Sequence, residues 1–386
     1  MIQIRRQRTS ESPTTAATLT VMREEQPTAV IGIVALTLVP GVIGGAETYV
    51  VELARSLQNQ ASNLRPHMIL PPLAPYAHGG LDHTVIASYA SGTTTAERMR
   101  AMTRAFVSGR SERRELRVER FDALHYPLTA HVPRVSKLPC ATSIHDVQHL
   151  EHPEFFSAQE RAYRRVVYGH AVRRSDIIIT ISNYAARTLS AQLSIPADRI
   201  RTIHLGVDAH RFAATTPQKR ENFLLYPANP WPHKNHVRLF EAFRAVRRDE
   251  PELELVLTGT GLESLPTEPG VTIAGRVSSR ELAHLYQTAR AVVFPSLYEG
   301  FGMPPLEAMA ASCPVATSTA AALPEVCGDA AIYFNPSNAE AIADGIRRVL
   351  NEDNAKRIAA GHHRVEQLTW DICARKHLDV YEQLLA

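Results

Sequence analysis

One segment indicates the fold and the chemistry more clearly than any other: residues 295–310, which read PSLYEGFGMPPLEAMA. It follows an apolar strand candidate and holds two glutamates, Glu299 and Glu307, on either side of a glycine-containing turn. The N–H groups of such a turn, together with the N-terminus of the next helix, can bind a diphosphate. Glu307 can accept hydrogen bonds from neutral hydroxyls such as those of a ribose. Glutamates beside an anionic ligand are unfavourable unless each contacts a group that is neutral or becomes positive. This indicates that they bind sugar hydroxyls and stabilise a transition state with oxocarbenium character.

Outward from this segment, short apolar runs alternate with helical patterns. The strand candidates are continuous in Val, Ile, Leu and Ala, which is typical of parallel strands buried on both faces. They lie at 30–36, 67–70, 84–87, 122–125, 141–145 and 177–182, then at 223–226, 253–258, 271–274, 291–294, 315–317 and 331–334. Helices are predicted at 47–59, 96–117, 158–173, 183–192, 236–248, 280–288, 305–311 and 339–350.

The strand and helix alternation occurs twice, with a break near residues 205–217. We therefore predict an α/β protein with two doubly wound, Rossmann-like domains that face a deep cleft. A flexible tail is expected at 1–28, a first domain at 29–205 and a second at 206–370. The cleft is the expected site, because ligands of open parallel sheets bind at the carboxyl ends of the strands.

The composition excludes several classes of protein. The chain has 386 residues, 45% of them hydrophobic, which rules out disorder, collagen-like repeats and a disulfide-stapled miniature. Its 42 Lys and Arg against 39 Asp and Glu give a net charge of +3, too small to indicate nucleic acid as the partner. Any cationic surface is therefore local.

The cysteines and the apolar runs bear on the compartment. Four separated cysteines without zinc-ligand spacing favour a reducing cytoplasm. Residues 1–28 lack the apolar core of a signal peptide. The apolar run at 29–46 approaches transmembrane length, but Pro40 and four glycines interrupt it. A buried strand followed by a glycine-rich loop is favoured there.

Three further segments carry residues suited to chemistry. N–H groups of Gly44 and Gly45, before a helix, can approach an anion, the alternative being a tight strand-to-helix turn. This loop fits neither the dinucleotide nor the P-loop pattern. His145, at a strand end, can exchange a proton near neutral pH or can be a structural histidine. Lys234, at a helix start, can neutralise a phosphate or can be an exposed surface lysine.

Together, these motifs resemble the retaining glycosyltransferases of the "glycosyl transferases group one" family (family 4), which have the two-domain GT-B fold. Residues 295–310 are similar to the family's Glu-seven-residues-Glu signature. The resemblance extends through Gly275-Arg276-Val277, Pro314-Val315, Leu323-Pro324-Glu325-Val326 and Gly328-Asp329-Ala330-Ala331. In the first half and the link between the domains, it includes Gly44-Gly45-Ala46-Glu47, His145-Asp146, Ile181-Ser182 and Gly206-Val207-Asp208.

The resemblance implies a role for each matching residue. It assigns the sugar-nucleotide donor to the second domain and the acceptor to the first, with a last helix at 371–386 crossing back to the first domain. The implied catalytic residues are His145, Glu299 and Lys234. The implied donor-binding residues are Gly44, Gly45, Asn229, Lys234, Arg276, Phe301, Gly302, Met303 and Glu307, and the acceptor-side residues are Glu47 and Asp146.

The sequence departs from the family pattern at two places. Many members carry an arginine about six residues before the lysine, where this chain has Ala228-Asn229. The diphosphate would then be bound by Lys234 with His233 or Arg276. Ser312 stands where relatives commonly have glycine.

The resemblance also implies retention of configuration by front-face attack and no cofactor. The sequence has no Asp-x-Asp motif, so no metal ion is expected. The segments YPANPWPHKN and IHDV, together with residues 155–165, resemble mannosyltransferases of polysaccharide assembly. This resemblance favours GDP-mannose as donor, with UDP-glucose or a related donor next. A sugar phosphorylase, a nucleotide-sugar epimerase and a non-catalytic nucleotide-sugar-binding protein are the alternatives.

The acceptor expected from the resemblance is a saccharide or a lipid-linked molecule, and no nucleic acid partner is expected. Arginines are frequent at 97–120 and 161–174. Such helices can contact anionic lipid at the inner face of the cell membrane, or can simply present a solvated surface.

Overall fold

The computed structural model describes residues 29–41, 44–92, 94–135, 137–213 and 219–386. The tail predicted at 1–28 lies outside these ranges, as do Val42 and Ile43 of the glycine-rich loop. Within them the chain forms two parallel sheets with intervening helices. The prediction of two Rossmann-like domains is confirmed.

The first domain contains the strands β1 (Ala29–Val34), β2 (Leu64–Leu70), β3 (His83–Val85), β4 (Ala123–Tyr126), β5 (Cys140–Ser143), β6 (Ile177–Thr180) and β7 (Ile200–Thr202). Its helices are α1 (Gly45–Gln58), α2 (Thr95–Val107), α3 (Arg110–Leu116), α4 (Gln148–Glu151), α5 (Ala158–Arg174) and α6 (Asn183–Leu193). Ser157 opens α5 with a capping box, in which its hydroxyl accepts from the Glu160 N–H.

The short helix α7 (Ala209–Phe212) leads into the second domain. The strands there are β8 (Glu221–Pro227), β9 (Glu254–Thr258), β10 (Val271–Gly275), β11 (Ala289–Phe294), β12 (Val315–Ser318) and β13 (Ile332–Phe334). The remaining helices are α8 (His236–Arg247), α9 (Ser279–Thr288), α10 (Met303–Ala310), α11 (Leu323–Cys327), α12 (Ala339–Asn351), α13 (Ala355–Gln367) and α14 (Trp370–Leu385).

Both sheets reverse their strand order at an equivalent point. The orders are β3-β2-β1-β4-β5-β6-β7 and β10-β9-β8-β11-β12-β13, so the reversals fall between β1 and β4 and between β8 and β11. Both of these pairs are parallel. Ligands of open α/β sheets bind outside the carboxyl ends of the strands at such points. The loops at 228–235 and 295–302 lie there, as do Gly41, Gly44 and Gly45 between β1 and α1.

Some predicted elements were wrong in their extent. The helix predicted at 96–117 is two helices, α2 and α3, because Gly109 between them has φ 38°, a left-handed conformation that ends a right-handed helix. The strand predicted at 141–145 ends at Ser143, so His145 lies in the following loop. The edge strand β7 and the helix α13 were not predicted, because each has a weak apolar pattern.

The last helix, α14, packs on α1, β4 and β5 of the first domain. Its buried face consists of Trp370, Cys373, Ala374, His377, Leu378, Val380, Tyr381 and Leu384. The two connections between the domains run side by side, since the Val207 N–H donates to the Leu368 carbonyl at 2.9 Å. Of the helices in the described ranges, none is both long enough and apolar enough to cross a bilayer.

Candidate active site

The loops after β8 and β11 meet through an ion pair. Lys234 Nζ lies 2.5 Å from Glu299 Oε1, and the two side chains are only 12% and 13% exposed. The ammonium group also lies 5.4 Å from the centre of the Phe294 ring. Lys234 is therefore not an exposed surface lysine. The pair places a cation and an anion together at the carboxyl edge of the second sheet.

Two residues that the sequence analysis missed hold this arrangement. Tyr226 donates its hydroxyl to the Lys234 carbonyl at 2.6 Å. Asn235 has φ 63°, a left-handed conformation that asparagine tolerates better than most residues. Its Nδ2 donates to the carbonyls of Pro295 and Pro336 at 3.0 and 2.8 Å. Asn235 thus ties the Lys234 loop to the loop after β11, and an asparagine at a helix start was the only available signal.

Helix α10 begins immediately after the loop that carries Glu299. Its N-cap is Gly302, with φ 123° and no side-chain cap. Pro304 and Pro305 in the first turn have no N–H groups, so the backbone donors at this end are those of Phe301, Gly302 and Met303. Together with the positive end of the helix dipole, these groups suit an anion.

Glu307 lies inside α10, where its side chain contacts α9. The Tyr286 hydroxyl donates to Glu307 Oε2 at 2.8 Å. Burial raises the pKa of Glu307. A carboxyl group held by one tyrosine keeps accepting capacity for a second hydroxyl, as the predicted contact with a ribose requires.

The glycine-rich loop of the first domain approaches the second domain. Gly44 caps α1, and Gly45 is its first residue. The position that a Cβ on Gly44 would occupy lies 3.8 Å from the Trp231 ring, in the loop after β8. The structure therefore brings Gly44 and the loop that contains Lys234 to the same cleft.

An arginine from the second domain reaches this loop. A Cβ on Gly41 would stand 3.1 Å from Arg276 Nη1. Glu47 accepts from the Gly41 N–H at 2.7 Å and from the Tyr76 hydroxyl at 2.8 Å. Partial burial and the hydrogen bond to Glu47 raise the pKa of Tyr76 to about 12. Glu47 thus braces the glycine-rich loop, and Arg276 adds a positive charge beside it.

His145 lies two residues beyond β5, at the carboxyl edge of the first sheet. Its ring stands edge-on to Tyr49, with the ring centres 4.9 Å apart. Burial lowers the pKa of His145 to about 4, so the ring is neutral at pH 7. Asp146 accepts from the Gln148 N–H at 3.0 Å and shapes the turn into α4. A neutral imidazole can donate or accept one hydrogen bond without adding charge.

The two domains touch at His145. A Cβ on Gly300 would stand 3.1 Å from the His145 carbonyl, so glycine permits this close approach. Ser182, at the start of α6, donates to the Gly300 carbonyl at 2.9 Å. The loop of Glu299 is thereby held against the loop of His145.

The remaining positions have structural explanations. Asn229 Oδ1 accepts from the Thr260 N–H at 2.8 Å and joins the loops after β8 and β9. Ser312 has φ 57°, a left-handed conformation that glycine adopts more readily than serine. Its hydroxyl lies 2.9 Å from His362 Nε2. Among the described residues, no group of three or more His, Cys, Asp or Glu side chains is placed to hold a metal ion.

Comparison with known proteins agrees with the two-domain arrangement. The sequence model described as "Glycosyltransferase Family 4" matches residues 43–211, and the one described as "Glycosyl transferases group 1" matches residues 208–362. Together the two models cover residues 43–362, so the chain is a glycosyltransferase that carries both family domains. It is a hexosyltransferase with the GT-B fold, and the resemblance stated from its motifs is confirmed.

Curated relatives of this glycosyltransferase carry mannosyltransferase names. It is 27% identical to O-antigen chain mannosyltransferase B of Escherichia coli over 63% of this chain and 70% of that one. It is 29% identical to O-antigen chain mannosyltransferase RfbU of Salmonella typhimurium over 54% of this chain and 60% of that one. A crystal structure of Anabaena Alr3699/HepE in complex with UDP and glucose superposes with a TM-score of 0.68 at 16% identity, covering 92% of this chain and 100% of that one.

Beneath His145 the glycosyltransferase has a buried polar network, defined by Tyr49, Ser143, His125, His377 and Tyr381. Tyr49 Oη lies 2.8 Å from Ser143 Oγ and 2.8 Å from His377 Nε2. His125 lies 2.8 Å from both Ser143 Oγ and the Tyr381 hydroxyl. No sequence pattern marks this network, because its members come from four separate elements.

The Cys373 carbonyl can only accept a hydrogen bond, and this determines the direction of every hydrogen bond in the network. His377 Nδ1 donates to the Cys373 carbonyl at 2.8 Å, so Nε2 of the neutral ring must accept from the Tyr49 hydroxyl. Tyr49 then accepts from Ser143, which accepts from His125 Nε2. His125 Nδ1 accepts from Tyr381. Burial lowers the pKa of His377 to about 4 and that of His125 well below its ordinary value. The network is therefore neutral at pH 7.

Glu325 connects the domains on the other side of His145. It accepts from the N–H groups of Asn183 and Tyr184 at 2.7 and 2.9 Å, and His204 Nε2 lies 2.7 Å from its carboxylate. Burial opposes ionisation, but these hydrogen bonds hold the pKa of Glu325 below its ordinary value. A carboxylate from the second domain thus caps α6 of the first, a contact that no sequence signal revealed.

Proposed function

We propose that this glycosyltransferase moves a mannosyl residue from GDP-mannose to a saccharide or lipid-linked acceptor, with retention of configuration and without a metal ion. The observation that carries the proposal is the convergence of Lys234, Glu299 and the N-terminus of α10 on the carboxyl edge of the second sheet. His145 faces them from the first sheet.

The second domain supplies groups suited to a departing nucleoside diphosphate. The bond between the anomeric carbon and the diphosphate oxygen breaks, so negative charge grows on that oxygen. Lys234, Arg276 and the N–H groups of Gly302 and Met303 would stabilise this charge in place of water. Arg276 takes the place of the arginine that relatives carry before the lysine, since its guanidinium lies against the glycine-rich loop.

Two residues, one from each domain, suit the sugar and its developing charge. The acceptor oxygen bonds to the anomeric carbon on the face that the diphosphate leaves, and its proton passes to an oxygen of the departing phosphate. Glu299 lies where a carboxylate can stabilise positive charge on the sugar ring. The neutral ring of His145 would hydrogen-bond a sugar hydroxyl without repelling that charge.

The donor assignment rests on the relatives. Two of them are named mannosyltransferases, at 27% and 29% identity. The Anabaena structure with UDP and glucose, at 16% identity, supports a UDP-sugar as the second candidate.

A donor screen tests the proposal. Purified protein is incubated with GDP-mannose, UDP-glucose and related donors, with and without mannoside acceptors, and released nucleoside diphosphate is measured. We expect the highest kcat/KM with GDP-mannose and no loss of rate in EDTA. Higher kcat/KM with a UDP-sugar would move the assignment to that donor. Phosphate-dependent formation of sugar 1-phosphate would replace transfer with phosphorolysis.

We also propose that the enzyme acts at the cytoplasmic face of the membrane. The arginine-rich helices α2 and α5 pack together, and each exposes an apolar residue, Val107 at 75% and Val166 at 59%. Arginines around exposed apolar side chains suit an anionic bilayer surface. Flotation with phosphatidylglycerol vesicles should recover the protein, and phosphatidylcholine vesicles should not. Equal recovery from both would contradict an electrostatic contact.

A further inference from the structure

A cavity of about 510 Å³ lies in the first domain beside the turn that follows His145. We call it the acceptor-side cavity. It is lined by Arg161 and Arg165 of α5, by His149 of α4, and by small or apolar residues that include Leu150 and Pro153. No Asp or Glu lines it. Its lining therefore offers two cations and contains no carboxylate, although the Asp146 carboxylate acts on His149 from outside the lining.

The two arginines stand one helical turn apart on the same face of α5. In the described part of the chain, neither forms an ion pair, and the single hydrogen bond of Arg161 is a long one to the Pro153 carbonyl, at 3.5 Å. Their neighbour Arg164 differs, because it stacks on Phe156 at 4.7 Å and donates to a tyrosine. The guanidinium groups of Arg161 and Arg165 thus keep most of their donors for a ligand.

His149 is buried, at 2% exposed, yet neither of its ring nitrogens has a hydrogen-bond partner among the described residues. Aromatic packing holds the ring instead, with Tyr168 edge-on at 4.7 Å and Phe156 at 6.3 Å. Burial lowers the pKa of His149 to about 4, so the neutral ring has one N–H to donate at pH 7. Both nitrogens are enclosed by protein, so the ring supports the wall of the cavity, and its imidazole resonance can report binding beside it.

The cavity lies close to the reacting groups. His149 follows His145 by four residues, so their Cα atoms are at most about 14 Å apart. His152, which follows α4, packs edge-on against Tyr298 of the second domain at 5.5 Å. The acceptor-side cavity therefore lies near the cleft, beside a segment that packs on the loop after β11.

We propose that the acceptor-side cavity binds an oxyanion carried by the acceptor, a phosphoryl or carboxylate group, through Arg161 and Arg165. Guanidinium groups bind both kinds of oxyanion through paired hydrogen bonds. This inference rests on the proposed transfer function, because it names the chemical class of the acceptor. It assigns to α5 a part in choosing which molecule receives the sugar.

Direct binding is tested first, because it requires no turnover. Inorganic phosphate, glucuronate and, as a neutral control, methyl mannoside are titrated into the full chain, and the His149 imidazole resonance is followed by NMR. We expect saturable shifts with one or both anions and none with methyl mannoside. The double variant Arg161→Gln/Arg165→Gln should weaken binding at least tenfold. Arg173→Gln, at the far end of α5, should not. Unchanged anion binding in the double variant would refute the proposal.

A kinetic experiment then distinguishes the sources of the anion. Three acceptors share one mannoside: an alkyl phosphodiester, a glucuronide and a neutral alkyl ether. In the wild type, kcat/KM should be at least tenfold higher for one charged acceptor than for the ether, which tells phosphate from carboxylate. The double variant should lose this preference. If the wild type transfers the sugar but shows no preference for a charged acceptor, the proposal for the cavity is overturned. If no sugar nucleotide supports transfer, the proposed function is refuted, and the NMR titration alone then decides whether the cavity binds an anion.

Discussion

The buried polar groups of the two domains differ in charge. In the second domain, Lys234 and Glu299 form a charged pair from two loops that follow neighbouring strands. In the first, the network from Tyr381 to His377 is neutral throughout. Charge is present where a diphosphate would leave, and absent where a sugar hydroxyl would be oriented. The second domain thus has groups that can stabilise a changing charge, and the first has groups that fix the positions of neighbouring side chains.

Removal of Lys234 should produce the largest effect. We expect Lys234→Ala to lower kcat for nucleotide release by about 10²- to 10³-fold, because one strong electrostatic group at the leaving oxygen is lost. The measurement is steady-state kinetics with the preferred donor. Lys356→Ala, which removes an exposed lysine from α13, is the control. A loss below about tenfold would remove the assigned role of Lys234, and an unchanged rate in Glu299→Ala would do the same for Glu299.

A decrease in pH should destabilise the first domain before it destabilises the second. His131, His145 and His377 are neutral at pH 7, because removal from solvent lowers their pKa values to about 3, 4 and 4. The unfolded chain binds a proton at each of them near pH 6.5, so stability is full above that pH and falls as pH decreases toward about 4. The expected loss is on the order of 1 kcal/mol per pH unit for each fully buried histidine.

Hydrogen exchange with mass spectrometry at pH 7.5, 6.5 and 5.5, corrected for the intrinsic exchange rate, resolves the two domains. Peptides from β4, β5 and α14 should lose protection first, since the second domain contains fewer such histidines, His233 and His236. If protection is lost earlier in β8 and β11, the second domain is the one that acid destabilises first, and the prediction is wrong.

The neutral network should contribute to stability more than to chemistry. Tyr49→Phe keeps the ring beside His145 but leaves Ser143 and His377 without their shared partner. We expect the free energy of unfolding to fall by about 1–3 kcal/mol, with a much smaller change in kcat than Lys234→Ala gives. Urea unfolding measures the change in the free energy of unfolding. Tyr76→Phe, on a side chain 52% exposed, is the matched control and should cost about 0.5 kcal/mol or less.

Ser312→Gly should have the smallest effect. Glycine relieves the left-handed conformation at φ 57° but loses the contact with His362 and adds freedom to the unfolded chain. These contributions nearly cancel, so the free energy of unfolding should change by less than about 1 kcal/mol. Thermal unfolding checks this, and a loss of several kcal/mol would show that the serine has a structural role of its own.

The sequence predicted the second domain better for a physical reason. Lys234 and Glu299 each follow a buried parallel strand, and loops after adjacent parallel strands converge, so motifs far apart in the chain could be expected to meet. The contacts of Tyr49 could not be predicted, because its partner His377 lies 328 positions away on a helix whose docking depends on tertiary packing. The end of α2 was missed because Gly109 alone determines it, through a conformation that no periodicity reveals.

The position of α14 has a consequence for how the enzyme is made. During translation the strands of the first domain leave the ribosome early, but the helix that covers α1, β4 and β5 follows the entire second domain. At about 5–20 residues per second, that interval is on the order of ten seconds or more. Throughout it, a nascent first domain exposes the apolar surface that Leu378 and Leu384 later bury, a surface that chaperones can recognise. The domain that is synthesised first is the one that is completed last.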